Sequence, residues 1–567
     1  MKIFRAHAIR RSRYGLAALA GLLWALSFPK PAISGLAWIA PGLMIAASLG
    51  KTGFQSFRIG YIAGLIHYSV SLYWLLLIPY RWHGIPLGPA AGWLALSAFL
   101  ALFPATWVWL LSGRRASAPD SDSENLNHLQ SQSQMFPSSG GTGVLNPNWV
   151  GRTLWTLQGA AIWVALEMLV ARIFSGFPWD LLGVSQYRLV PLIQIASFTG
   201  VYGISFLIVW VSLCLLSAGV TVIRKPMLRS AWAGEIFLPA ATVFGLFVFG
   251  FQQVAHSVPT SRSLKIALVQ PSIPQTLIWD ETADDLRFNE LVRVSELALT
   301  NKPQLLLWPE AAIPKLMRYN KQTFEAVTNL AGAHHAWMVI GADDVEVRLD
   351  RQGREQPLFY NSSFLISDDG HLMNRYRKRS LVIFGEYVPL VTVLPFLKLF
   401  TPVEGGFTRG DQAVPFKLED LGIKTSVLIC FEDIFPHLAR EYSDEETDFL
   451  VNLTNNGWFG ESAAQWQHAT SALFRAVENG LPLIRCSNNG VTCWVDEHGR
   501  MREIFYDSRG AVYGQGFMTI ELPLLAKGEK RPLTFYHQHG DWFGWACVAI
   551  GIAALCCRVW NDRRIQA

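Results

Sequence analysis

The chain predicts a polytopic α-helical membrane domain of about eight spans joined to a layered α/β domain. Three observations carry this expectation. Long apolar runs crowd the first half and one more closes the chain, each near the roughly 20 residues that cross a bilayer as a helix. Charged residues make up 16% of the 567, against roughly 25% in ordinary soluble domains, and the scarcity is confined to the stretch before about residue 255. From Leu264 onward short β-rich runs alternate with helical patterns, the rhythm of an α/β layer.

The candidate spans lie near 14–29, 33–50, 59–79, 87–111, 154–174, 189–222, 233–254 and 541–558. The first follows Arg10-Arg11-Ser12-Arg13 and imitates a signal peptide. Further spans come almost at once, so it reads as a retained helix. The expected division is 1–258 for seven spans, 259–535 for the α/β domain, and 536–567 for the last span and its tail. Residues 117–148, rich in Ser, Gln, Asn, Pro and Gly, bury too little apolar surface to order themselves and read as a disordered cytoplasmic loop. Basic residues fall in alternate connections: Arg10 to Arg13, Lys51 and Arg58, Arg114 and Arg115 with Arg152, Arg224 to Arg229, and Arg558 to Arg564. Cytoplasmic loops carry such excess, so the α/β domain is expected on the opposite, extracytoplasmic face. Glu167 and Arg172 fall within one span, where charge is costly; an interhelical ion pair or a snorkelling Arg172 is expected.

Several function classes are excluded. A net charge of +5 is too small and dispersed for nucleic-acid binding. The seven cysteines show no zinc spacing, and no phosphate-binding glycine pattern is convincing. No metal or cofactor is expected.

The α/β part carries the chemistry. Strands are expected at 264–270, 304–308, 337–341, 361–367, 423–430, 449–454 and 483–487, with helices near 281–300, 320–334, 434–442 and 462–479. Glu310 closes Leu305-Leu306-Leu307-Trp308-Pro309, Lys378 sits in Tyr376-Arg377-Lys378-Arg379, and Cys430 ends Ser426-Val427-Leu428-Ile429. A carboxylate, an ammonium and a thiol, each just past an apolar strand, suit acyl transfer through a thioester. A free thiol is only a few per cent ionised at neutral pH, so Glu310 is assigned as general base for Cys430, and Lys378 as the oxyanion partner. Most strand cysteines are inert packing; the other two groups in matching contexts make Cys430 the nucleophile.

Trp308-Pro309-Glu310, Tyr376-Arg377-Lys378 with Phe384-Gly385-Glu386-Tyr387, and Ile429-Cys430-Phe431-Glu432 together resemble the Glu–Lys–Cys signature of the nitrilase (carbon–nitrogen hydrolase) superfamily. Gly176-Phe177-Pro178-Trp179, Gly183-Val184-Ser185-Gln186, Gly200-Val201-Tyr202-Gly203, Ile273-Pro274-Gln275 with Trp279, Asn456-Gly457-Trp458-Phe459-Gly460 and Ser487-Asn488-Asn489-Gly490 narrow the resemblance to the apolipoprotein N-acyltransferase family. The resemblance implies a nitrilase-like α-β-β-α sandwich on eight membrane helices in a bacterial inner membrane, with the catalytic domain periplasmic. It implies transfer of an acyl chain from a phospholipid, typically phosphatidylethanolamine, to the α-amino group of a diacylglyceryl-cysteine at a lipoprotein's N-terminus. A monomer is expected, since nothing in the chain requires a partner subunit.

By the same resemblance Glu386 orients Lys378 and Glu432 supports the acid–base network, although ordinary ion-pair roles fit both equally. Trp279 is either a substrate-gating tryptophan or a packed aromatic. Trp458, a candidate substrate-binding residue, and its loop, with 388–400, either supply a dry pocket facing the bilayer or simply pack against the sandwich. Four positions depart from the family's usual residues: Ser380 for His, Ile383 for Pro, Phe431 for Tyr and Asn456 for Asp. Cys486 and Cys493 flank Asn489-Gly490, a two-residue hairpin signal. That register sets them opposite one another, either as a disulfide or as two separate thiols. Two other functions remain open: a membrane-anchored nitrilase-like amidase, and a transporter or scaffold with an idle nitrilase-like binding domain.

Overall fold

The computed structural model describes residues 2–51, 53–79, 87–112, 148–224, 227, 232–256, 259–278, 280–349, 352–389 and 406–566. The helical part contains Lys2–Leu26, Ala40–Ser48, Phe54–Ser71, Gly88–Leu100 followed at once by Leu102–Leu111, Trp149–Val170, Val201–Arg224 and Ala233–Ala255; Trp542–Gln566 follows the sheets. Among the described residues four stretches are long and apolar enough to cross a membrane: Gly88–Leu111, Trp149–Val170, Val201–Arg224 and Ala233–Ala255. Ser34–Ser48, Val190–Thr199 and Trp542–Cys557 are shorter apolar helices. Most of the segment expected to be a disordered loop, 117–147, lies outside the described residues.

One expected span is divided. Instead of a single helix over 189–222, a turn at Val190–Ile193 has Pro191 as its second residue, a second turn spans Ala196–Thr199, and only Val201–Arg224 is long. Proline starts helices but cannot continue them, and Gly200, at φ +67° and ψ −179°, takes a backbone conformation that is essentially glycine's alone and breaks the helix there.

Small residues let the helices approach closely. A Cβ on Gly60 would lie 2.6 Å from Pro104 O, and one on Gly64 would lie 2.9 Å from Ala101 Cα. One buried ion pair joins two of these helices: Arg152 Nε lies 2.7 Å from Glu235 Oε1, which also accepts from Ser217 Oγ at 2.8 Å. Arg172 pairs with Asp541 ahead of the last helix and lies over the Trp545 ring, while Glu167 accepts from Trp163 Nε1 and Leu182 N, each at 2.9 Å.

Twelve strands follow: β1 (Arg262–Gln270), β2 (Leu305–Leu307), β3 (Trp337–Leu349), β4 (Glu355–Ile366), β5 (Leu372–Arg377), β6 (Pro415–Leu418), β7 (Ile423–Ile429), β8 (Phe449–Thr454), β9 (Leu483–Ser487), β10 (Cys493–Val495), β11 (Met501–Ile504) and β12 (Gly516–Leu524). They form two six-stranded sheets, ordered β12-β1-β2-β3-β4-β5 and β11-β10-β9-β8-β7-β6. Each has a parallel centre, β1-β2-β3 or β7-β8-β9, with antiparallel strands outside. The two-residue period of a strand divides the first sheet's side chains. Ile266, Leu268, Leu305, Leu307 and Val339 share a core with the second sheet. Ala267, Val269, Leu306, Met338 and Ile340 pack on Leu291, Val294, Val327 and Leu330 of helices Asp284–Leu299 and Lys321–His334. This is the expected sandwich.

The Asn489-Gly490 expectation is corrected. The β9–β10 connection is a five-residue loop, 488–492, and the register pairs Cys493 with Arg485. A one-residue offset reverses the face a side chain occupies. Cys486 therefore points away from Cys493, its Sγ 3.4 Å from Val269 O, and both thiols are free.

Helix Ala464–Asn479 lies between the second sheet and the membrane helices, with Gln467 as the joint. Its Oε1 accepts from Trp74 Nε1 at 2.9 Å and Trp179 Nε1 at 3.0 Å; its Nε2 donates to Ser71 O at 3.2 Å and Pro29 O at 3.3 Å. Gln467→Leu strands two indole donors and two carbonyls. At roughly 1–3 kcal/mol for each stranded group, the variant is expected to lose about 3 kcal/mol or more. The thermal midpoint of the detergent-purified protein measures this, and an unshifted midpoint would contradict it.

Candidate active site

Cys430 is the first residue beyond β7 and opens the 3-10 turn Cys430–Ile434. Its φ of +51° turns the chain out of the sheet; a non-glycine residue held there costs roughly 1–3 kcal/mol. Two side chains hold the turn. Asn452 Nδ2, on β8, donates to Leu428 O and Cys430 O at 3.1 Å each. Glu432, fully buried, accepts from Ile429 N at 2.7 Å, Arg379 N at 2.7 Å, Ser380 N at 3.0 Å and Tyr376 Oη at 2.8 Å. Glu432 thus ties the Cys430 turn to the segment that follows Lys378. Burial pushes its carboxyl pKa up, and these donors oppose the shift.

Lys378 is the residue after β5 and is only 1% exposed. Its Nζ lies 2.9 Å from Glu386 Oε1 and 3.2 Å from Glu310 Oε1. Asn361 Nδ2, on β4, donates to the same two oxygens at 2.9 and 2.8 Å. Asn455 N donates to Glu310 Oε2 at 3.0 Å, and Val382 N to Glu386 Oε2 at 2.8 Å. Glu310 reaches this position because β3 passes close beneath it at Gly341, where a Cβ would stand 2.7 Å from Glu310 Cα. Burial works to discharge Lys378, but Glu310 and Glu386 outweigh it and hold its pKa well above the ordinary lysine range. The site therefore contains a fixed cation.

Thr454 and Glu310 lie against the Cys430 thiol. Burial first, then the Glu310 charge, push its pKa up to about 12, and Lys378 pulls it down. Cys430 therefore rests as a thiol with the Glu310 carboxyl group beside it, a pairing of the kind that can pass a proton.

Glu310, Lys378, Cys430, Glu386 and Glu432 are thus brought into one network. Trp458 is half-buried in the turn Gly457–Phe459, and its neighbour Phe459 packs on Trp74 at 4.4 Å between ring centres. Trp279 lies outside the described residues, as do 390–400 of the expected apolar pocket. The four departures all have partners. Ser380 N donates to Glu432, Ile383 bridges to Tyr387, and Asn456 Oδ1 meets His468 Nδ1 at 3.0 Å. Phe431 lies 6.0 Å from Phe177 and 6.4 Å from Trp179, aromatics of the helical part.

Sequence reasoning missed Asn361 and Asn455, which aim Glu310. It also missed the buried group behind Cys430, where Asp433 meets His468 Nε2 at 2.7 Å and Arg485 Nη1 at 2.5 Å. The polar run Asn361-Ser362-Ser363, set between Phe359-Tyr360 and Phe364-Leu365-Ile366, was the available signal for Asn361. Asp343 was missed too. It pairs in register with Asn361, and burial, then Glu310 and Glu386, push its carboxyl pKa up to about 7.

A Glu–Lys–Cys cluster at the strand ends of a two-sheet sandwich, joined to apolar helices, defines a membrane-associated protein of the carbon–nitrogen hydrolase type. The family model for that hydrolase, "Carbon-nitrogen hydrolase", matches residues 265–510, and "Apolipoprotein N-acyltransferase N-terminal domain" matches 20–214. An apolipoprotein N-acyltransferase of Geobacter metallireducens is 34% identical over 96% of this chain and 94% of its own. One of Rhizobium rhizogenes is 30% identical over 86% of each. The chain belongs to the apolipoprotein N-acyltransferase family.

Two predictions follow from the charges. The folded Asp343 keeps its proton up to about pH 7, whereas an unfolded Asp releases it near 3.9. The folded state binds the extra proton between those values, so this residue's contribution to stability falls as pH rises from about 4 to about 7. The thermal midpoint of Asp343→Asn should gain on wild type across that window and no further above it. Lys378→Met removes the group that lowers the thiol pKa. Alkylation of Cys430 by iodoacetamide at pH 8, followed by mass spectrometry, should slow at least tenfold; unchanged alkylation would show that Lys378 does not act on the sulfur.

Proposed function

We propose that this chain N-acylates lipoproteins by a two-step, ping-pong transfer through a Cys430 thioester. Glu310 takes the Cys430 proton as sulfur attacks the ester carbonyl of a phospholipid, with phosphatidylethanolamine as the donor. Lys378 stabilises the oxyanion, and the proton passes from Glu310 to the departing alcohol, releasing a lysophospholipid. The α-amino group of an S-diacylglyceryl-cysteine then attacks the thioester. Glu310 receives the amine's proton and returns it to sulfur as the C–S bond breaks, leaving an amide and a free thiol.

One observation carries the reading: Lys378 bridges Glu310 and Glu386 at 3.2 and 2.9 Å beside a thiol whose next residue, Phe431, packs on the helical part's aromatics. A hydrolase needs no such contact. A lipid-fed acyl-enzyme does, because its thioester must be kept from water until the amine arrives. In this reading residues 1–258 and 536–567 hold domain 259–535 on the extracytoplasmic face of a bacterial inner membrane, and one copy suffices. Trp279 and Trp458 belong to the substrate loops.

Incubation with phosphatidylethanolamine should add one fatty-acyl mass to Cys430, and a diacylglyceryl peptide should remove it with formation of a triacyl product. Cys430→Ala should show neither, with N-acylation reduced at least 10³-fold. Loss of the acyl group to water at the same rate with and without peptide would select the amidase. Full N-acylation by Cys430→Ala would overturn the mechanism.

A further inference from the structure

A cleft of about 580 Å³ opens beside the catalytic network. Its walls are the loop 271–276 after β1, the 457–461 turn with Asn489, and 513–515 ahead of β12; Leu77 and Pro79 of the helical part close one side. We propose that this cleft receives the polypeptide that follows the lipid-bearing cysteine of the acceptor, a proposal that rests on the N-acyltransferase reading.

Gln275 is the central observation. It is 6% exposed and lines the cleft. Its Oε1 accepts from Asn455 Nδ2 at 3.0 Å, and Asn455 N donates to Glu310 Oε2 at 3.0 Å. The cleft floor is therefore one residue removed from the general base. Gln275 Nε2, on the same amide, is buried without a hydrogen-bond partner among the described residues. A buried amide donor left unpaired costs about 1–3 kcal/mol, and a peptide carbonyl in the cleft would recover it.

The walls are fixed in advance. Asn488 Nδ2 donates to Ile273 O at 2.9 Å, Ile273 N returns a bond to Asn488 Oδ1 at 3.0 Å, and Asn489 Nδ2 donates to Tyr513 O at 2.8 Å. The volume lies within the roughly 300–1,000 Å³ of ligand pockets. Small and polar residues, including Gly457, Gly460, Ser272 and Thr276, alternate with apolar wall from Leu77, Ile273 and Tyr513. That lining suits an extended peptide better than an acyl chain. Glu461 and Arg509 supply one charge of each sign, and Asp507 holds Arg509 through Nε at 3.2 Å and Nη2 at 3.1 Å. The donor's tails must leave the site into an apolar phase. The acceptor alone is attached to a hydrophilic protein and must leave into water. A zwitterionic headgroup is the competing occupant.

The test uses the full-length protein in mixed micelles and S-diacylglyceryl-cysteine acceptors carrying zero, one, two, four or six further residues. KM should fall at least tenfold between zero and four residues and then level off. Glu461→Lys and Arg509→Glu should shift the KM ratio between acceptors with downstream Lys and downstream Glu at least fivefold, in opposite directions. A KM independent of acceptor length overturns the proposal. So do variants whose main effect is on the ratio of Cys430 acylation by phosphatidylethanolamine to that by phosphatidylglycerol, since that assigns the cleft to the headgroup. Affinity of the same acceptors for Cys430→Ala protein, read by fluorescence anisotropy, should follow the same length order. Absent transfer with length-ordered binding rejects the mechanism and keeps the cleft; transfer without length dependence does the reverse.

Discussion

The site depends on an ammonium group sealed from water between two carboxylates. Lys378 can stay charged at 1% exposure only because Glu310 and Glu386 stand within 3.2 Å of it; a buried unpaired charge would neutralise instead. Each partner is itself held by an amide: Asn361 bonds both, Asn455 holds the far oxygen of Glu310, and Val382 that of Glu386. These donors come from three separate stretches of chain. The electrostatic arrangement therefore requires the sandwich to be complete, and little reorganisation remains for the moment of reaction.

The second constraint is the seam between sandwich and helices. Gln467 uses both ends of its amide on helical-part partners, and the next residue, His468, reaches Asp433 in the turn that begins with Cys430. Phe431, next to Cys430, packs on Phe177 and Trp179 from the other side. The sulfur is thus referenced to the membrane helices by two routes, one polar and one aromatic.

Much of this was legible in the sequence because its signals are local. Glu310 and Cys430 each follow an apolar strand run, whereas Lys378 follows the mixed run Leu372–Arg377, and the parallel centres of both sheets read as short apolar segments. What escaped was relational. Asn361 and Asp343 matter through strand register, which no single run displays. The short outer strands β5, β6, β10 and β11 carry too few residues for a period to emerge. The Asn489-Gly490 pair suggested a tight hairpin, but the tertiary bonds of Asn488 and Asn489 to the loop after β1 open a longer connection and shift the cysteines to opposite faces. Pro191 and Gly200, which divide one expected span, were visible signals outweighed by the apolar composition around them.

The contact between Arg172 and Asp541 joins a helix made early in synthesis to the segment leading into the last one. Both sheets are inserted between these two positions. The Arg172–Asp541 pair consequently cannot form until the whole intervening sandwich has been synthesised. Premature release of the nascent chain before Asp541 would leave the earlier helices without that clasp, which makes order of assembly a property of this architecture.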